Sequence, residues 1–93
     1  MGKFRVIISN GAAKDLAAIK KSGDNASIKK VEVIISELYV HPETGTGKPE
    51  RLKFDLAGYW SRRINKKDRL VYFIEDEIIT VTVVSAIGHY DDK

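Results

Sequence analysis

Tyr59-Trp60-Ser61-Arg62-Arg63-Ile64, Asn65-Lys66-Lys67-Asp68 and Arg69-Leu70-Val71-Tyr72-Phe73-Ile74 read in order as a strand, a polar turn and a second strand. Aromatic and β-branched residues crowd both outer runs, and the four residues between them are all polar. Toward the C-terminus the acidic turn Glu75-Asp76-Glu77 leads to another β-branched run, Ile78 to Val84, which Ser85 to Tyr90 extends. Toward the N-terminus a short strand is expected at Leu52 to Phe54. Before it, His41 to Pro49 holds both prolines and two of the seven glycines, so it is a loop.

Earlier still the period changes from 2 to 3.6. Ile28, Val31, Ile35 and Leu38 form one helical stripe, and Ala12, Ala13, Leu16 and Ile19 form another. Ser9 or Asn10 can cap a helix running to about Lys21. Gly23 can stop it, and Asp24 or Asn25 can open a second helix to about Val40. Phe4 to Ile8 is a first strand. The order β-α-α-β-β-β predicts an α+β fold, an antiparallel sheet with two helices packed on one face. One domain is expected over residues 1–93: a strand and two helices to 40, a loop at 41–49, the sheet over 50–90 and a tail at 91–93.

The chain has 93 residues, 43% of them apolar and 31% charged. At that size folding buries only about 60–65% of the unfolded surface. The absence of cysteine excludes a disulfide scaffold, thiolate zinc and a cysteine nucleophile. No apolar run approaches the roughly 18 residues that span a bilayer, and Val6-Ile7-Ile8 is too brief for a signal-peptide core, so a cytoplasmic location is expected. The formal charge of +3 is unevenly spread. Residues 48–69 carry eight basic side chains against three acidic ones, a density that suits a polyanionic partner or a solvated strand face.

Several chemistries find no support. His41 and His89 lie 48 positions apart, outside any close ligand cluster, so no metal or other cofactor is expected. Gly45-Thr46-Gly47-Lys48 lacks the full phosphate-loop spacing and precedes a strand. Nothing in the spacing sets Ser61 or Ser85 beside a histidine and an acid. What remains surrounds the basic block. Glu50, between Lys48 and Arg51, suits a general base or a surface ion pair. Arg69, at a strand start, can offer its planar fork to a phosphate or to a carboxylate. His89 is of the residue type that most readily acts as an acid, Tyr90 can stack on a base, and Tyr59 and Trp60 suit edge and core packing.

Taken together, Gly47-Lys48-Pro49-Glu50, Leu52-Lys53, the run Leu56 to Ile64, Arg69-Leu70-Val71-Tyr72 and His89-Tyr90 closely resemble the YoeB/Txe toxins of the RelE/ParE toxin–antitoxin superfamily. The likeness is dense from Gly45 to Tyr72 and returns at His89-Tyr90. It implies the small fold drawn above and a ribosome-dependent endoribonuclease that cuts mRNA in the ribosomal A site. It also implies a neutralising antitoxin of YefM/Axe type, and it allows a homodimer. Glu50, Arg69, His89 and Tyr90 match the family's catalytic positions. Lys48, Lys53, Arg62, Arg63, Lys66 and Lys67 are the basic residues expected to face RNA or the ribosome. The tail Asp91-Asp92-Lys93 departs from relatives that stop at the His-Tyr pair. Two other readings stand beside this one: a ParE-like toxin that is not a nuclease, and an RNA- or ribosome-binding module that cuts nothing.

Overall fold

The computed structural model describes residues 3–88. A first strand, β1 (Arg5–Ile8), is followed by helices α1 (Asn10–Ser22) and α2 (Asn25–Leu38) and then by strands β2 (Glu50–Arg51), β3 (Tyr59–Arg63), β4 (Arg69–Glu75) and β5 (Thr80–Ser85). Short 3₁₀ turns occupy Phe54–Leu56 and Asp76–Ile78.

The helix ends are capped as their sequence suggests. The Ser9 hydroxyl accepts from the Ala12 N–H at 3.1 Å, and Asp24 accepts from the Ser27 N–H at 3.2 Å and hydroxyl at 2.8 Å. Gly23 ends α1 at φ 76°, a conformation glycine adopts without steric cost.

The five strands form one sheet in the order β1-β5-β4-β3-β2. The pairs β2–β3, β3–β4 and β4–β5 are antiparallel, whereas β1 lies parallel to β5. The sheet is therefore mixed, correcting the antiparallel expectation. Sequential hairpins account for β3 to β5. The crossover through both helices returns β1 to the remaining free edge of β5, and that return makes the pair parallel. The short strand also moves. Leu52 to Phe54 is not a strand; pairing falls on Glu50 and Arg51, and Phe54 turns into 3₁₀ geometry at φ 58°.

Ala12, Ile19, Val31, Ile34 and Leu38 of the helices bury against Leu70, Tyr72, Val81 and Val83 of the sheet, with Ile64 and Ala86 at its margins. The expected stripes hold in part: Ala13 is exposed, while Ile34 lies wholly inside. Trp60 is half-buried at the edge of this core, with the Arg51 guanidinium 5.4 Å from its ring centre. Fully burying each aliphatic side chain contributes about 1.5–3 kcal/mol, so these contacts dominate the stability of so small a chain.

The buried interior also holds a charge. Arg62 is 0% exposed, which corrects its expected place facing RNA. Its Nε donates to the Tyr72 hydroxyl at 3.1 Å, and one terminal nitrogen donates to Glu37 Oε1 at 2.7 Å and the Thr46 carbonyl at 3.4 Å. The other terminal nitrogen donates to the carbonyls of His41 at 2.9 Å and Thr44 at 2.8 Å. Tyr72 in turn donates to the Pro42 carbonyl at 2.7 Å. Burial pushes the Glu37 carboxyl up, but hydrogen bonds from the Thr46 N–H and hydroxyl and from Arg62 outweigh it, and the group sits below its ordinary value. Burial raises the Tyr72 phenol against the opposing pull of Arg62. The arginine thereby pins the loop 41–46 to the sheet, and that loop runs directly into Gly47-Lys48-Pro49-Glu50.

Candidate active site on the open sheet face

Side chains alternate along a strand, so the residues next to the core-facing Trp60, Arg62, Leu70 and Tyr72 point to the opposite side of the sheet. The register aligns Glu50, Ser61 and Val71 across three strands and sets Arg63 opposite Arg69 at the hairpin end. Glu50, Arg63 and Arg69 are brought together in this way from three strands. With Gly47, Lys48 and Ser61 they line a cavity of about 140 Å³. A larger hollow of about 590 Å³ lies along α1, but it gathers only lysines and alanines.

Within the smaller cavity Arg69 reaches the Glu50 carboxylate at 3.4 Å. The Glu50 side chain is 63% exposed and that of Arg69 26%, so this pair is loose and open to a ligand. An exposed ion pair of this kind stabilises the fold by at most about 1 kcal/mol. The loop wall is tighter. Arg63 N–H donates to the Gly47 carbonyl at 2.7 Å, and Gly47 has φ 85°. A Cβ on Gly47 would stand 2.8 Å from the Arg63 carbonyl oxygen and 3.1 Å from its nitrogen, so only glycine lets the loop approach β3. Lys48 then adopts φ 54°, uncommon for a residue with a side chain.

Arg69 is held from behind as well. Its N–H donates to the Gly88 carbonyl at 3.0 Å, and the neighbouring Asp68 accepts from the Gly88 N–H at 2.9 Å. Asn65 braces the turn by accepting from the N–H groups of Lys67 and Asp68 and donating to Ser27. Lys53, Lys66 and Lys67 are exposed but do not line the cavity. His89 and Tyr90, the other two expected catalytic residues, lie outside the described residues.

Sequence reasoning missed Ser61, weighing it only for a serine triad, and misplaced Arg62. Its signal was available in the alternation of β3: if Trp60 faces the core, so does Arg62, and Ser61 and Arg63 face away.

Fold and site together describe a small α+β protein with a carboxylate set among three cations on the face of its sheet opposite the helices. Residues 9–90 match the model of the YoeB-like toxins of bacterial type II toxin–antitoxin systems, and the chain belongs to that family. It is 41% identical over 70 residues to Toxin YoeB of Synechocystis, covering 75% of this chain and 79% of that one. It is 43% identical over 58 residues to Toxin YoeB of an Escherichia coli strain, covering 62% and 69%. Among solved structures, a YoeB/ParE toxin from Agrobacterium tumefaciens superposes with a TM-score of 0.81 at 31% identity, covering 94% of this chain and all of that one. The toxin in a YoeB–YefM complex from Staphylococcus aureus superposes with a TM-score of 0.76 at 32% identity, covering 94% and 98%.

Proposed function

We propose that this toxin is a ribosome-dependent endoribonuclease that cleaves mRNA in the ribosomal A site and so inhibits translation. The observation that carries the reading is the Glu50 carboxylate beside Arg69, with Lys48 and Arg63 lining the same cavity. In the proposed reaction Glu50 takes the proton from a ribose 2′-OH, and the freed oxygen attacks the adjacent phosphorus. The bond to the 5′-oxygen breaks, and His89 supplies the proton to that leaving group. Arg69 stabilises charge on the phosphorane oxygens, and Tyr90 orients the target nucleotide. The products are a 2′,3′-cyclic phosphate, or the 3′-phosphate formed from it, and a 5′-OH. The roles of His89 and Tyr90 rest on the family resemblance. They follow directly on Gly88, whose backbone is bonded to Asp68 and Arg69, and this supports their participation.

Acid–base catalysis contributes about 10²–10⁴ in rate. Holding the mRNA in line for attack contributes roughly 7–11 kcal/mol, a share that falls to the ribosome. Lys48, Lys53, Arg63, Lys66 and Lys67 supply the positive field for RNA, whereas buried Arg62 does not. The YefM-bound relative supports a YefM-like antitoxin as partner, and a dimeric YoeB from Staphylococcus aureus supports a homodimer. The proposed site of action is the cytoplasm.

Primer extension on mRNA bound to purified ribosomes tests the reading, with wild type compared to His89→Gln. A cut in the A-site codon that the variant loses is expected. Intact mRNA despite ribosome binding would leave a binding module, and toxicity undiminished in Glu50→Gln would leave a ParE-like action.

A further inference from the structure

Ser61 is the floor of the cavity and the one side chain there that the family resemblance leaves without a task. The residue is 1% exposed. Its register partners are Glu50 on one side and Val71 on the other, so its hydroxyl is on the catalytic face, directly across from the carboxylate. Cross-strand neighbours of this kind have Cβ atoms about 4.5–5.5 Å apart. Among the described residues the hydroxyl makes no hydrogen bond. Every other buried polar side chain in the described chain is engaged: Ser27 with Asp24 and Asn65, Arg62 with its five acceptors, Asp68 with Asn65 and Gly88, and Thr80 with the Ile78 carbonyl. Buried polar groups in native proteins are overwhelmingly paired, and an exception at the floor of a polar cavity points to a ligand that completes it.

The ligand's chemistry follows from the lining. Lys48, Arg63 and Arg69 can only donate hydrogen bonds, and they call for an anion. Glu50 beside them repels an anion unless that anion also brings a donor. A ribose 2′-OH next to a phosphodiester meets both demands. We infer that Ser61 is a substrate-contacting residue whose hydroxyl donates a hydrogen bond to a non-bridging oxygen of the scissile phosphate, beside the Arg69 guanidinium. This inference rests on the nuclease reading and adds a residue to it. Ser61 keeps its proton throughout. Its donor gains strength as negative charge builds on the phosphorane oxygen, and so it acts on the transition state more than on binding.

A scaffold role and a substrate role make opposite demands on one variant. Ser61→Ala removes a hydroxyl that makes no hydrogen bond within the described protein, so its melting temperature should equal or exceed that of wild type. Cleavage of ribosome-bound mRNA by saturating toxin should fall about 10²-fold with little change in the toxin concentration giving half-maximal rate. Sulfur in place of one non-bridging oxygen accepts hydrogen bonds poorly. A single Rp or Sp phosphorothioate at the cut linkage should therefore slow wild type in one isomer, and in that isomer the Ser61→Ala penalty should largely disappear. Wild type that cuts normally while Ser61→Ala cuts equally fast would overturn the inference and leave the nuclease reading intact. A fall in melting temperature matching the fall in rate would overturn it in favour of a scaffold role, as would equal Ser61→Ala penalties on the all-oxygen linkage and both isomers. Wild type that leaves the mRNA whole on ribosomes would sink the nuclease reading and this inference together.

Discussion

Arg62 and Arg63 are adjacent, chemically identical and on one strand, yet one is sealed inside the protein and the other is exposed beside the candidate site. The two faces of β3 differ in how charge is compensated. On the helix side Arg62 meets a carboxylate, three carbonyls and a phenol, so all its donors are used and it can remain charged in the interior. On the other side Arg63 and Arg69 face each other across the hairpin, and among the described residues their single carboxylate contact is the loose 3.4 Å pair to Glu50. Cations left undercompensated on one face are available for a phosphate. The satisfied arginine on the other face holds the loop that carries Lys48 and Glu50.

The sharpest way to break this contrast is Arg62→Met, which strands the Glu37 carboxylate and the loop carbonyls. It should destabilise the fold by about 3–5 kcal/mol in urea unfolding, a large part of what so small a domain has. A wild-type midpoint would show that the loop is held by something else. On the open face Glu50→Gln should do the reverse, lowering cleavage about 10²–10⁴-fold while the unfolding midpoint stays put, since that side chain is mostly exposed.

Gly47→Ala tests the joint between the two faces. Its Cβ would collide with the Arg63 backbone at a positive φ, and a loss of about 2–3 kcal/mol together with weakened cleavage is expected. Acid titration reads the buried pair directly. The Glu37 carboxyl lies below its ordinary value of 4.5 in the folded protein, so its stabilisation is complete above that pH and is lost as the pH falls through the lower, folded value. Unfolding followed from pH 7 to 2 should show this loss, and Glu37→Gln should flatten that limb. Arg63→Ala should give the smallest change in stability, within about 0.5 kcal/mol. Its effect should appear as weaker RNA binding with the salt slope reduced by about one unit, and an unchanged slope would place Arg63 outside the RNA contact.

The elements were readable because their signals are local. Ser9, Gly23 and Asp24 cap helices with partners within a few residues, and Asn65-Lys66-Lys67-Asp68 closes a hairpin between two β-rich runs. The candidate site was readable in part. Glu50, Arg69, Lys48 and Arg63 carry chemistry legible in the sequence, and they line one cavity. Arg62 reads as one of them in sequence because a charged residue in a basic block looks solvated, and nothing near it in sequence reveals Glu37. Ser61 finds no role in the sequence beyond a rejected serine triad, because a lone serine carries no pattern; only its burial without a partner among the described residues singles it out.

The sequence by itself determined the helices, the two strands joined by Asn65 to Asp68 and the family. Each depends on periodicity, turn chemistry or ordered motifs that survive without a fold. The last strand begins at Thr80 and ends at Ser85, later than the expected Ile78 and without its extension over residues 86–88. Only the tertiary structure decided that β1 runs parallel to β5, that Arg62 belongs to the interior, that Gly47 must lack a side chain and that Ser61 closes the cavity floor. These depend on pairings between distant positions, such as Arg62 with Glu37 across 25 residues and Ser9 with Val84 across 75. Compaction, and no local propensity, brings such groups within reach of one another.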